Sequence, residues 1–287
     1  MLKNKFVTAL LATFAVGTSA LSAIAPASAY EIKSREQAPD RFKNILQDLR
    51  AFVGQEGQYL SPETINARRV DLSKLEFKFD HDVKVFFLGE TASYRNRLDF
   101  QATKGSTVTT GKIFGDTSCN VGDASFTNFS QYCSAPDGAL ENTVAPNKPL
   151  NVGDWVSLGS FSAGTKLDFL LHADDINGGI TGTDANGQTV KGIWSLNQAL
   201  NPDGVQHAIS YYYKDYIIIG FEDLWGGGNK DYNDTVFAIH FGDDNARHVT
   251  SVPEPTATIA LFGIAGLGFL STRRRRINQV TKVDSEL

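Results

Sequence analysis

The residues best suited to chemistry lie in one stretch near the end of the chain: Ile217-Ile218-Ile219-Gly220-Phe221-Glu222-Asp223-Leu224-Trp225-Gly226-Gly227-Gly228-Asn229-Lys230-Asp231-Tyr232-Asn233-Asp234-Thr235-Val236-Phe237. An apolar run leads into an acidic pair, three glycines, an acid/amide cluster and a second apolar run. Glu222, Asp223, Asn229, Asp231, Asn233 and Asp234 put six oxygen-bearing side chains within thirteen positions. Calcium takes about six to eight oxygens from carboxylates, amides and carbonyls, which makes these residues candidate calcium ligands. Oxygen-only donors favour calcium over zinc or copper. Asn229, Asp231 and Asn233 share the i, i+2, i+4 spacing that opens an EF-hand loop, but the rest of that pattern is missing. The glycines permit positive φ and a tight backbone wrap. Asp and Asn are also turn formers that bond their own backbone, so turn chemistry stands beside the metal reading.

A second oxygen-rich group runs Asp174-Asp175-Ile176-Asn177-Gly178-Gly179, with Asp184 and Asn186 shortly after. It either shares a site with the first group or forms a solvated hairpin. No zinc-binding HExxH, nucleophile elbow or P-loop is present, and Gly226-Gly227-Gly228 lacks a following Lys-Ser/Thr. A hydrolase would need a triad or a carboxylate pair assembled in space, and Glu222 and Asp223, as strand neighbours, should point to opposite faces. The chain therefore reads as non-catalytic. An alternative is carbohydrate binding, with Trp155, Trp194, Trp225 and Tyr211-Tyr212-Tyr213 stacking on sugar rings of a surface polysaccharide; core packing is the competing role for these aromatics.

The elements that would carry these groups are mainly β. From about Leu75, strand candidates follow at Phe77 and Phe79, Val83–Leu88, Leu98–Ala102, Thr107–Thr110, Trp155–Phe161, Leu167–His172, Gly192–Leu196, His207–Tyr213, Tyr216–Phe221 and Thr235–Phe241, separated by Gly-, Asn- and Asp-rich turns. Many short strands at this spacing predict an antiparallel β-sandwich or jelly-roll-like domain over residues 75–250. Residues 30–74 form an N-terminal helical segment. Phe42, Ile45, Leu46, Leu49, Phe52 and Val53 share one helical face, with Pro39 in the first turn and Gly54 as the stop. Ser134–Val152, with three prolines, reads as a long surface loop.

The two ends carry transport information. Residues 1–29 have the form of a signal peptide: Lys3 and Lys5, an apolar run from Phe6 to Ile24, and Ala27-Ser28-Ala29 as a small-residue cleavage site before Tyr30. At the other end, Val252-Pro253-Glu254-Pro255 precedes an apolar stretch from Thr256 to Leu270 and then Arg273, Arg274, Arg275 and Arg276. That stretch is marginal for crossing a ~30 Å hydrocarbon core. The arginines behind it would resist translocation, which gives a transient inner-membrane stop.

The full chain has 27 basic and 32 acidic side chains. The signal takes two basic residues away, and the tail from Pro253 takes five basic and three acidic. The remaining 20 and 29 give a net charge of −9. Such a surface argues against nucleic acid as a partner. Cys119 and Cys133 are the only cysteines. In an exported chain they are expected to pair, the alternative being two buried thiols. The bond would close a loop of 15 residues, worth roughly 3 kcal/mol in the chain-entropy model.

Two resemblances follow from these motifs. Residues 251–276, with motif, apolar span and basic cluster in order, resemble the PEP-CTERM sorting signal. The resemblance implies export through the inner membrane, cleavage near Pro253-Glu254-Pro255 by an exosortase-type enzyme, and a cell-surface or extracellular destination. A polar tail, Ile277–Leu287, continues past the arginines and completes a sorting segment of 251–287. The stretch 217–237 resembles the signature of domain-of-unknown-function family 4114. Phe87-Leu88-Gly89-Glu90, Tyr94-Arg95-Asn96-Arg97-Leu98, Ser162–Leu167, Ser195-Leu196-Asn197 and Asn201-Pro202-Asp203-Gly204 with His207 fit the same family. This second resemblance spans about 83–241. It implies an extracellular β-rich module, here with Asn229 where the family often has Asp, which lowers the charge of the loop.

Overall fold

Strand alternation along the chain resolves into two packed antiparallel sheets. The computed structural model describes residues 30–50, 75–119 and 147–250. The signal peptide expected at 1–29, the sorting segment at 251–287, residues Phe52 to Gly54, Cys133 and most of the proline-containing loop lie outside them. The strands are β1 (His81–Gly89), β2 (Arg97–Lys104), β3 (Thr107–Phe114), β4 (Trp155–Phe161), β5 (Lys166–His172), β6 (Thr181–Thr183), β7 (Thr189–Lys191), β8 (Ile193–Ser195), β9 (Ala208–Tyr213), β10 (Tyr216–Phe221) and β11 (Thr235–His240). One sheet has the order β4-β1-β11-β10-β9, and the other has β3-β2-β5-β8. The hairpin β6-β7 stands apart and has no counterpart among the strand candidates of the sequence.

The sheets face each other through aromatic rings. Phe169 of β5 meets Phe237 of β11 at 5.2 Å between centroids, and Phe87 of β1 meets Phe114 of β3 at 6.2 Å. The opposite face of the five-stranded sheet is also covered. Phe42 stacks on Phe86 at 3.9 Å, and Tyr216 packs beside both. With apolar neighbours on both faces, β10 loses its alternation and is buried at every position.

The N-terminal segment is helical but broken. It holds a 3₁₀ turn at Arg35–Gln37, then α1 (Asp40–Lys43) and α2 (Leu46–Arg50). Pro39 caps α1 from outside rather than sitting in its first turn. The interruption falls at Asn44-Ile45, where Asn44 is a weak helix former. Phe42, Ile45, Leu46 and Leu49 are buried together, as the spacing predicts. Near Phe77 the chain makes a single bridge, Glu76 to Lys166, rather than a strand, and Phe79 is 55% exposed.

A third helix, α3 (Asp243–Thr250), follows β11 and leads towards the sorting segment. Asn245 fixes it to the start of β1: its Oδ1 accepts from Lys78 N at 2.8 Å and Phe79 N at 2.9 Å, and its Nδ2 donates to the Phe79 carbonyl. Among the described residues, no helix is long and apolar enough to cross a membrane.

Candidate functional site

The β10–β11 loop is built by turning back over its own strand. Gly220 makes this turn possible, because a Cβ there would sit 2.1 Å from the Tyr232 carbonyl oxygen. Tyr232, at φ 55°, then donates its N–H to Glu222 Oε1 at 2.8 Å. Gly228 lies against the same carboxyl group, where a Cβ would fall 2.2 Å from Glu222 Oε2. Asp223 N donates to Asp234 Oδ2 at 2.8 Å and ties the two ends of the loop together. Glu222 and Asp223 lie just beyond the end of β10, so strand alternation does not separate them and both are buried.

Five of the six candidate ligands, Glu222, Asp223, Asp231, Asn233 and Asp234, are buried, while Asn229 lies exposed at the rim. Asn229 bonds Asp231 through Asx-type contacts, its Nδ2 to Asp231 Oδ2 at 3.0 Å and its Oδ1 from Asp231 N at 3.2 Å. Turn chemistry therefore accounts for the Asn229–Asp231 pairing. It does not account for the carboxyl groups beneath.

Two further acids come from elsewhere in the chain. A β-bulge after Phe87 shifts the β1–β11 register and delivers Glu90 to this end. Glu90 accepts from Cys119 N at 3.0 Å, and Asp116 follows β3. Glu90, Asp116, Glu222, Asp223, Asp231 and Asp234 are all buried. Arg95 covers Asp116 as an ion pair, but Glu222 and Asp234 form none among the described residues.

Burial, then the neighbouring Asp231, pushes Glu222 up to about 8. Burial, then Asp223 and Glu222, pushes Asp234 up to about 10. Burial likewise raises Glu90 to about 8 against two backbone hydrogen bonds.

Asn96 joins the three loops of this end. Its Nδ2 donates to Asp223 Oδ2 at 2.9 Å, and its Oδ1 accepts from Asp174 N at 2.9 Å. The second oxygen-rich group is thus at the same end but splits in use. Asp174 caps Arg95 N, Asp175 pairs with Arg97, and Asp184 closes the exposed β6–β7 turn through Asn186 N and Gln188 N.

His207 is fully buried under the loop, with Nε2 2.8 Å from Asp203 Oδ2 and Nδ1 2.9 Å from the Glu222 carbonyl. Trp194 stacks flat on it at 3.7 Å and donates Nε1 to the Asp223 carbonyl at 2.9 Å. These two residues position the loop backbone. Trp155, Trp194 and Tyr211 are buried and cannot stack on a sugar. Trp225 is half-buried, edge-on to Trp194 and covering Gly182, and Tyr213 bonds Asp48.

The donor set fits a hard cation rather than zinc. Among the described residues, no group of three His, Cys, Asp or Glu side chains converges as a metal site. A cation here would therefore draw on amide and main-chain oxygens as well as carboxylates. Asn233 supplies the observation that bears on this. Its side chain is buried, Oδ1 meets the Thr91 hydroxyl, and Nδ2 has no hydrogen-bond partner. Turning the amide over keeps the Thr91 contact and leaves the oxygen, in place of the nitrogen, for a cation.

The family model described as Domain of unknown function (DUF4114) matches residues 161–242, and that of the PEP-CTERM protein-sorting motif matches residues 251–276. The first match covers the acidic loop, Trp194 and His207; Glu90, Asn96 and Asp116 lie upstream of it. The second implies handling by an exosortase-type enzyme and an exported, cell-surface or extracellular protein. No curated protein and no solved structure gives a significant match.

Proposed function

We propose that the protein is a non-catalytic cell-surface or extracellular-matrix module whose acidic end takes calcium, which orders the loops for a structural or adhesive role. One observation carries the reading: six buried carboxyl groups gather at one end of the sandwich, and Glu222 and Asp234 among them form no ion pair among the described residues. Holding them without a cation requires protons, and a divalent cation supplies the same neutralisation with more charge. Glu222 and Asp231, together with Asn233 and main-chain oxygens, would hold the ion, with Asp234 beneath it and Asn229 at the rim.

Calorimetry on the full chain is expected to show calcium binding in the ~10⁻⁴–10⁻³ M range of extracellular modules. Asp231→Ala should remove most of the heat. Magnesium should bind less, because it demands tighter octahedral geometry. Absence of calcium binding up to about 10 mM would return the loop to turn chemistry.

The sorting reading has its own test. Protein recovered from the surface of producing cells should start at Tyr30 and yield no peptide from Ile259–Arg276. An intact tail in that material would overturn processing. Analysed without reduction, the same digest should contain the Cys119–Cys133 cross-linked peptide; labelling of both thiols would overturn the disulfide.

A further inference from the structure

The chain leaves the folded domain at the end of the sandwich opposite the carboxyl groups. That end holds the start of β1, the close of β11, the β2–β3 and β9–β10 turns, and α3. α3 is docked there. Ala246 is fully buried, Val249 packs on the core, and Asn245 bonds the main chain of Lys78 and Phe79. Five residues, 251–255, separate α3 from the uncharged run 256–272. The six chain steps across them reach at most about 20 Å, of which the headgroup layer takes about 5–7 Å. Seventeen uncharged residues stand at the lower limit of the roughly 17–25 that cross a bilayer. Arg273 to Arg276 hold the far side, so the run has no slack to give back. While it stays in the membrane, α3 and its surroundings are kept against the lipid surface.

The side chains of this end suit that position. Phe79 is exposed although its main chain is fixed to α3, and Tyr212, 38% exposed, lies within the electrostatic reach of Asp243 and Arg247 of α3. Aromatic rings at headgroup level anchor proteins at a membrane surface, and basic side chains beside them reach the phosphates. The acids here are largely met by bases. Glu76 pairs with Lys78 at 2.7 Å, Asp243 with Arg41 at 3.3 Å and Asp244 with Arg247 at 2.6 Å. Asp80 and Asp82 bond the Ala163 N–H and the Ser160 hydroxyl, and Lys104 and Lys166 offset their charge. His81 and His240 hydrogen-bond each other at 3.1 Å, and burial holds both rings below the usual imidazole range, so they are neutral. Acids and bases are thus in near balance at this end, in contrast to the six carboxyl groups gathered at the other.

We propose that this end is a membrane-docking face. While the sorting tail is held in the inner membrane, Phe79 and Tyr212 rest in the headgroup layer and the carboxyl end points away from the bilayer. The inference rests on the reading of 256–272 as the membrane run of the precursor. It leaves the acidic loop open to ions and partners while the domain is still tethered.

The test uses precursor purified from the inner membranes of cells that lack the exosortase-type enzyme. It is placed in vesicles of phosphatidylglycerol and phosphatidylcholine brominated on the acyl carbons nearest the headgroup. Wild type supplies the baseline, because Trp155 and Trp194 are buried and Trp225 lies at the carboxyl end; bromine should leave its emission unchanged. Phe79→Trp and Tyr212→Trp should each lose about half or more of the emission they add. Both positions are exposed, so neither variant strains the fold. Precursor stripped from the vesicles by an alkaline wash would overturn the membrane run and the inference with it. Precursor that stays in the vesicles, with both added indoles unquenched or with wild type quenched, would overturn the docking face and leave the sorting reading standing.

Discussion

In a chelator, the melting temperature of the protein is expected to fall as the pH is raised from about 6 to about 9, and in about 10 mM calcium it should fall less. Glu90 and Glu222 are raised to about 8 and Asp234 to about 10, mainly by burial and then, for Glu222, by Asp231 and, for Asp234, by Asp223 and Glu222. The unfolded chain titrates these groups near 4, so the folded state holds the protons more tightly. Stability from such groups is fully present below the unfolded value and is lost as pH climbs through the folded one. One carboxyl group held about three units up withdraws about 4 kcal/mol. For a domain of this size that is roughly 10 °C.

On the proposed calcium reading, the ion is expected to replace the protons, with a stabilisation that grows with pH. At tenfold above the dissociation constant it adds about 1.4 kcal/mol. Asp234→Asn separates charge from packing. The amide oxygen keeps the hydrogen bond from Asp223 N, and no proton has to be taken up on folding. In chelator at pH 9 the variant should melt above the wild type, and its response to calcium should be mostly gone. A wild-type melting temperature flat in pH and indifferent to calcium would sink the cluster as a cation site.

Gly220→Ala should lose about 3–4 kcal/mol, one of the larger costs open to a single added methyl group. The clash is with a main-chain oxygen, Tyr232 O at 2.1 Å from the new Cβ, and not with the far end of a flexible side chain. Relief requires lifting the loop off β10, which breaks the Tyr232 N to Glu222 contact and exposes the carboxyl groups. Gly187→Ala serves as the comparison. It has φ 78° and nothing within 4 Å of an added Cβ, so it carries only the left-handed backbone penalty of about 1–2 kcal/mol. Chemical denaturation of the three proteins measures the difference. A Gly220→Ala variant within about 1 kcal/mol of wild type, with calcium binding intact, would show that the loop does not depend on this close approach.

The strands were legible because alternation is a local property. Trp155–Phe161 and Tyr216–Phe221 fall where the pattern puts them. The continuous burial of β10 was less informative, since it needs the N-terminal segment on one face and the second sheet on the other. The short hairpin at Thr181–Thr183 and Thr189–Lys191 has too little apolar content to signal itself, being exposed at alternate positions.

The upstream fragments that resemble the family had no stated role in sequence. In space they surround the loop: Asn96 reaches Asp223, Asp203 holds Gly226 N, and His207 holds the Glu222 carbonyl.

By itself the sequence determined the C-terminal sorting motif, the β-rich class and the oxygen-rich character of 222–234, because run length, alternation and composition are read along the chain. The tertiary structure alone decided that Glu90 and Asp116 join that loop, that Asn229 sits outside while its neighbours are buried, and that His81 meets His240. Those outcomes depend on a bulge, on strand register and on which loops share an end of the sandwich. Residues far apart in the chain become neighbours only through hydrogen-bonded ladders. The same burial that brings the carboxyl groups together removes the water that would otherwise keep them charged and apart.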